Sequence, residues 1–252
     1  MIHELLKLLF PPQCRVCGKV GANYICESCF NGFPRFKTYN TCRRCGKPLA
    51  TGKTGMPVNS PAVISGKTNN TACRECINKE IYFTTVSSAG SYEGTLKEAI
   101  RQLKYKNGKL LAPRLALFMK EAADGFIDRS DFITYVPMTK RKELHRGYNQ
   151  ARLLADELSL MFRKPCRNIL LRLKDNEEQN KSSLIARAQN VKGAFEINKR
   201  IKSIINHTNS ILLIDDVFTT GSTVNECARI LRETGIPEVH VLTLARTPLL
   251  KG

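Results

Sequence analysis

The stretch Ile211–Thr223, ILLIDDVFTTGST, decides how this chain reads. Four consecutive aliphatic residues suit a strand buried on both faces, as in a parallel sheet covered by helices. Two carboxylates, Asp215 and Asp216, follow, and then Thr219, Thr220, Gly221, Ser222 and Thr223 open a helix. A helix N-terminus presents unpaired N–H groups and the positive end of a dipole. Small hydroxyl residues and a glycine let the backbone there curl around a phosphate. The neighbouring acids would repel that phosphate; they suit the vicinal hydroxyls of a ribose. A Walker B reading of the acid pair needs a Walker A loop, and the one candidate, TGKT at Thr51–Thr54, has Lys47 where that loop requires glycine. A phospho-acceptor aspartate leaves TTGST unexplained.

Working outward, the chain from Ile81 onward alternates strand-like and helix-like segments, which predicts an α/β domain with a mostly parallel sheet. IYFTTVSSAGSY reads as strand, GTLKEAIRQLKYKNG as helix through Leu96, Ile100 and Leu103, and KLLAPRLALFMKEAADG as a second helix ending at Gly125. FITYVPM reads as a buried strand, TKRKELHRG as a basic loop, and YNQARLLADELSLMF as an amphipathic helix. DNEEQNKSSLIARAQN has no clean period and reads as a loop. SILLID, TVNECARILRETG and EVHVLTLAR then give strand, helix and strand. Ligands of open α/β sheets bind beyond the carboxyl ends of the strands, so the segments after FITYVPM and SILLID are expected to line one crevice.

The first 80 residues differ in kind. Eight of the ten cysteines fall there as four C-x-x-C pairs: Cys14/Cys17, Cys26/Cys29, Cys42/Cys45 and Cys73/Cys76. Two intervening residues let both thiolates of a pair reach one ion, and two such turns complete a tetrahedral S4 zinc site, so four pairs predict two structural Zn2+ ions. Gly18 and Gly46 follow the first and third pairs, where a knuckle turn favours positive φ. The pairing can be sequential or interleaved. A redox or disulfide reading lacks the βαβ setting of a thioredoxin-like motif, and the spacing lacks the cysteine run of bacterial ferredoxins. Cys166 and Cys227 read as buried thiols. Domain boundaries are therefore placed at 1–80 for an N-terminal helix plus double zinc module and 81–252 for the α/β domain.

The formal net charge is +18, divided +8 in residues 1–80 and +10 in residues 81–252, and predicts attraction to phosphate-bearing polymers. Within the zinc module Arg15, Lys19, Arg35, Lys37, Arg43, Arg44 and Lys47 alternate with Tyr24, Phe30, Phe33, Phe36 and Tyr39. Bases stack on aromatics while phosphates meet Lys and Arg, so single-stranded nucleic acid is one expected partner. The alternative makes these aromatics the module's small core. No apolar run approaches the roughly 20 residues of a membrane span. MIHELLKLLFPP is interrupted by Lys7 and stopped by Pro11 and Pro12, and it lacks the basic start and cleavage site of a secretory signal. The chain reads as cytoplasmic, with Ile2, Leu5, Leu6 and Leu9 forming a short helical face that packs on its own core or docks on a membrane complex.

ILLIDDVFTTGST resembles the phosphoribosyl pyrophosphate signature of type I phosphoribosyltransferases. RGYNQ (Arg146–Gln150), LKYKNG (Leu103–Gly108), Gln179, Arg187, Asn190, GAF (Gly193–Phe195), LLFPPQC and the paired cysteines are similar to the ComF/ComFC competence-protein family within that superfamily. The resemblance spans nearly the whole chain, with departures at Asn176, where Thr is expected, and Ser182, where Leu is usual. It implies a type I phosphoribosyltransferase-like parallel sheet flanked by helices, with a small N-terminal zinc-ribbon module, and a role in DNA uptake during natural transformation. It also implies that Asp215 and Asp216 hold ribose hydroxyls and that Thr219, Thr220, Gly221, Ser222 and Thr223 hold the 5′-phosphate. Thr139, Lys140 and Arg141 would help hold pyrophosphate with Mg2+. Should chemistry occur, pyrophosphate would leave C1′ through an oxocarbenium-like state with Arg146 and Arg187 offsetting its charge. In the alternative, Arg146 pins its loop and Arg187 pairs with Glu177 or Glu178. His145 stands beside Arg146 as a candidate base, though a lone loop histidine is more often a bystander. Expected partners are a phosphoribosyl pyrophosphate-like molecule, single-stranded DNA, and a helicase or channel of DNA uptake. An active salvage phosphoribosyltransferase and a non-catalytic sensor are the competing functions.

Overall fold

The computed structural model describes residues 11–36, 42, 44–46, 76, 79–105, 107–123, 125–173, 191–201, 205 and 207–248. After a short helix α1 (Glu27–Asn31) come β1 (Thr85–Ser91), α2 (Gly94–Leu103) and α3 (Ala112–Lys120). Next are α4 (Phe126–Arg129), β2 (Phe132–Tyr135), α5 (Lys140–Arg146), α6 (Gln150–Phe162), β3 (Leu170–Arg172) and β4 (Phe195–Ile197). The chain continues through β5 (Ser210–Phe218), α7 (Ser222–Glu233) and β6 (Glu238–Arg246).

Four strands form one parallel sheet in the order β1-β6-β5-β2, with β5 and β6 in the middle. Residue alternation sends Leu212, Ile214, Leu242 and Leu244 to one face, where they meet Leu96, Ile100, Leu115, Phe118, Leu154 and Leu158 of α2, α3 and α6. Ile211, Leu213, Val239 and Val241 face the other way, against Val224, Cys227 and Leu231 of α7. The aliphatic run of β5 is thus explained: each face of a central parallel strand is covered by helices, so both residue parities must be apolar. β3 and β4 form a separate antiparallel pair. Three-residue strands carry too little alternation to register in the sequence, and this hairpin was not foreseen.

The cysteine module is seated on this domain. Ser91 N–H donates to Pro34 O at 2.9 Å and Phe36 N–H to Ala89 O at 3.3 Å, so the segment after α1 covers β1, an edge strand of the sheet. Gly90 is required there, because a Cβ would lie 2.3 Å from Pro34 O. Phe30 and Phe33 are buried and pack edge-on to Phe118 at centroid distances of 6.2 and 5.1 Å.

Two readings need correction. TKRKELHRG is a helix, α5, and not a loop: Thr139 caps its start, accepting from Lys142 N–H at 3.5 Å, and Gly147 ends it at φ 88°. With no buried side chain, the helix has none of the apolar periodicity by which helices are recognised. The second predicted helix stops at Lys120 and does not run to Gly125; Gly125, at φ 73°, caps the separate turn α4. No helix among the described residues is long and apolar enough to cross a membrane. The expected N-terminal helical face (Ile2, Leu5, Leu6, Leu9), Thr51–Thr54 and the loop carrying Asn176, Glu177, Glu178, Gln179, Ser182, Arg187 and Asn190 lie outside the described residues.

Candidate functional site

The carboxyl ends of β2 and β5 meet as expected. β5 runs on through the acid pair to Phe218, and Asp216 is 7% exposed at the strand's end. Asn149 caps α6 through Ala151 N–H at 2.9 Å and donates its own Nδ2 to Val136 O at 3.0 Å, which fixes the start of α6 against β2. Gln150, the next residue, then reaches Asp216: its Nε2 donates to Oδ2 at 3.3 Å. Arg146 Nη1 donates to Gln150 Oε1 at 2.5 Å, so this guanidinium braces the amide that touches the acid. Of the two roles weighed for Arg146, the structural one is the one the geometry displays.

A second side-chain partner of Asp216 was missed by sequence reasoning. Lys104, immediately after α2, pairs with Asp216 Oδ2 at 2.8 Å. Its placement explains why LKYKNG and RGYNQ belong to one constellation. Tyr148 Oη donates to the carbonyl of Leu103 at 2.8 Å and also bonds that of Tyr105, clasping both sides of Lys104. Gly108 permits the clasp, since a Cβ would come within 2.5 Å of Tyr148 Oη. The signal lay in two separated polar motifs, but only the fold joins them.

The acid pair splits electrostatically. Burial raises the Asp215 carboxyl well above its ordinary range, and the charge of Asp216 beside it adds to the shift. Burial pushes Asp216 the same way, but the Lys104 ammonium, together with hydrogen bonds from Lys104, Asp215 and Gln150, outweighs it and holds Asp216 below the ordinary range. Charge is therefore disfavoured on Asp215 and favoured on Asp216. Lys104 is held above its usual value: burial opposes its charge, and Asp216 more than offsets this.

Beyond Phe218 the chain turns through Thr219 and Thr220 into Gly221, the N-cap of α7 at φ 81°. No side chain fits at 221, because a Cβ would lie 2.4 Å from Phe218 Cζ. Thr220 Oγ1 bonds Ser222 Oγ at 2.8 Å and accepts weakly from Ser222 N–H at 3.3 Å. Among the described residues none accepts from the amides of Thr219, Thr220, Gly221 or Thr223. Donors of this kind at the start of a twelve-residue helix can accept an anion. Thr139 is buried as the cap of α5, while Lys140 and Arg141 are exposed beside it. Leu144, 83% exposed, shares their face with His145.

The cysteines divide sequentially. The Sγ atoms of Cys14, Cys17, Cys26 and Cys29 lie within 4.8 Å of one another, and so do those of Cys42, Cys45 and Cys76; Cys73 lies outside the described residues. Cys17 Sγ and Cys26 Sγ are 3.7 Å apart. A tetrahedron with zinc–sulfur bonds of about 2.3 Å has edges of about 3.8 Å, so the first group fits the ion. The thiols also share protons unevenly, as crowded ligands do: hydrogen bonds from nearby amides overcome burial to bring Cys14 down to about 6, whereas burial drives Cys29 up. Cys227 is fully buried, but Cys166 is only half-buried; burial and the neighbouring Asp156 push its thiol up to about 12. Phe30 and Phe33 are packed inside and cannot stack on bases, which removes the centre of the predicted aromatic surface of the module.

Comparison with known proteins accords with this architecture. The double zinc ribbon domain family matches residues 5–77. Competence protein F of Haemophilus influenzae is 29% identical over 240 residues, covering 93% of this chain and 95% of its own. The DNA utilization protein YhgH of Escherichia coli K12 is 29% identical over 226 residues, 82% of this chain and 96% of its own. Competence protein ComFC of Bacillus subtilis is 26% identical over 231 residues, covering 88% and 84%. Among solved structures, the allosteric regulatory enzyme of purine biosynthesis overlaps 57% of this chain at 18% identity and a TM-score of 0.38, and this chain spans only 30% of it. Orotate phosphoribosyltransferase from Aeropyrum pernix overlaps 58% of this chain and 75% of its own at 15% identity and a TM-score of 0.31. Overlaps this slight carry no argument, and the fold rests on the strand order itself. Over most of its length the chain is similar to competence proteins F and ComFC, and it carries a match to the double zinc ribbon family ahead of a parallel α/β sheet.

Proposed function

We propose that the crevice at the end of β5 binds a phosphoribosyl pyrophosphate-type ligand, and that the protein uses it in handling DNA during uptake. The observation that carries the reading is the juxtaposition of the acid pair, tied down by Lys104 and Gln150, with the bare amides that open α7. The Asp215 and Asp216 carboxyl oxygens can both engage the vicinal hydroxyls of a sugar, with Lys104 offsetting charge near the phosphate. Thr219–Thr223 would take the 5′-phosphate. Lys140 and Arg141 would serve the pyrophosphate, with Arg187 a further candidate cation. The carboxylate oxygens fit a hard cation, so Mg2+ arriving with the pyrophosphate has protein ligands to hand and would neutralise part of its charge. Calorimetry with the sugar pyrophosphate and Mg2+ tests the site: Asp215→Ala combined with Asp216→Ala should abolish the binding seen in wild type. Equal affinity in the two proteins defeats the assignment. Isotope exchange from labelled pyrophosphate separates a turning-over transferase from a sensor.

A DNA-binding reading is favoured by the exposed cationic face of α5 beside the crevice and by the names of the relatives, two of them competence proteins and one a DNA utilization protein. Single-stranded DNA would lie along Lys140, Arg141 and His145. Fluorescence anisotropy across a salt series should show affinity falling steeply with salt, and Lys140→Ala with Arg141→Ala should flatten that slope by about 1–2 phosphate contacts. A salt-independent affinity is incompatible with this reading.

A further inference from the structure

We propose that Arg246 is a positioning residue that ties the second cysteine cluster to the phosphate loop, so that metal held by that cluster keeps the loop in its anion-accepting shape. The relevance to ligand binding rests on the reading above; the mechanical tie does not.

Arg246 is the last residue of β6 and lies opposite Phe218 in the parallel register. It is 4% exposed. Among the described residues no carboxylate pairs with it. Its Nη1 donates to the carbonyl of Cys45, its Nη2 lies 4.0 Å from Cys45 Sγ, and its guanidinium carbon sits 4.6 Å over the Phe218 ring. A buried cation is unfavourable unless an anion or strong acceptors surround it. The three described thiolates of Cys42, Cys45 and Cys76 around one divalent ion already carry net negative charge, so a metal-loaded cluster supplies that anion without any Asp or Glu. A second guanidinium obeys the same logic: Arg44 Nη1 donates to Cys76 O at 2.7 Å.

From Arg246 the contact passes to the loop. The Phe218 ring occupies the space beneath Gly221, which is why that N-cap lacks a Cβ. Thr247 N–H holds Phe218 O at 3.0 Å, anchoring the same residue from the chain that follows Arg246. A guanidinium over one aromatic ring therefore stands between the second cysteine cluster and the cap of α7. Among the described residues the first cluster shows no such route. Its residues Cys14 and Cys29 belong to the apolar cluster around Phe30, Phe33 and Phe118 on the opposite face of the sheet from α7.

The experiment follows hydrogen–deuterium exchange of the 219–223 amides together with zinc content on the full zinc-loaded chain. Graded chelation of wild type should raise exchange in this loop at least five-fold as the second ion leaves, with the β5 amides of Ile211–Ile214 still protected. Cys17→Ser, which takes one ligand from the first cluster, should leave loop exchange near its starting rate. Arg246→Met should raise loop exchange to a similar extent with zinc still bound, and Arg246→Lys should fall between. Loop exchange that tracks the first ion, or stays constant through loss of both, overturns the proposal even if Arg246→Met fails to fold. Titration with the sugar pyrophosphate provides a separate arm, with affinity expected to fall at least ten-fold in Arg246→Met. If wild type does not bind that ligand the proposed function fails, whereas the exchange data still decide the tie between cluster and loop.

Discussion

Around Phe118 and around Asp216 the same sheet does two different kinds of work. At Phe118, Arg35 and Arg114 lie over aromatic rings at 4.6–5.5 Å, and each reaches a rim carboxylate, Glu121 at 2.9 Å and Glu27 at 2.5 Å. Charges stay at the edge and apolar area fills the middle. At Asp216 the arrangement is inverted: a carboxylate is drawn inward and kept tolerable by one lysine and one amide, while burial disfavours charge on its neighbour Asp215. The first region is organised for stability. The second holds polar groups at an energetic disadvantage, as binding sites do.

The contrast can be broken most strongly at the first region. Phe30→Ala should lower unfolding free energy by about 3–5 kcal/mol, the usual consequence of deleting a buried aromatic, in urea titrations of the zinc-loaded protein. Ligand affinity measured below the transition should hardly change. Next in size, Lys104→Met strands Asp216 and should destabilise by about 3 kcal/mol, at the low end for a broken buried pair because Lys104 keeps 33% side-chain exposure. This variant should also raise the pH at which Asp216 protonates.

Asp215→Asn should go the other way and stabilise by about 0.5–2 kcal/mol at neutral pH while weakening ligand binding. The sign follows from linkage. The folded pKa of Asp215 is raised, so its favourable contribution is complete below the unfolded aspartate value and is lost as pH rises through the folded one. The advantage of the asparagine variant should therefore grow with pH in thermal melts from pH 4 upward. Asp216, whose folded pKa is depressed, contributes stability present above the unfolded value and lost as pH falls through the folded value. The smallest effect is expected at the rim: Arg35→Ala, breaking the pair with Glu121, should cost about 1 kcal/mol or less and show little salt sensitivity beyond the loss of that pair.

Much of this architecture follows from local chemistry. The aliphatic run of Ile211–Ile214, the acids behind it and the TTGST turn identify a central strand, its carboxyl end and the helix start, because each depends on neighbours within a few residues. EVHVLTLAR is matched by β6 residue for residue. The cysteine spacing likewise announces its chemistry, since two residues between thiols fit one tight turn. What the order of residues could not reveal is everything that depends on distance across the fold. Lys104 reads as one more surface cation until Tyr148 clasps its neighbours and turns it onto Asp216. Phe30 and Phe33 read equally well as a stacking surface or a core until β1 and Phe118 are placed against them. Arg246 is an ordinary strand terminus until a cysteine carbonyl and an aromatic ring close around it. In each case the side chain's identity was plain, and its role waited on partners about 30 to 200 positions away, because burial and charge pairing are properties of packing and not of sequence.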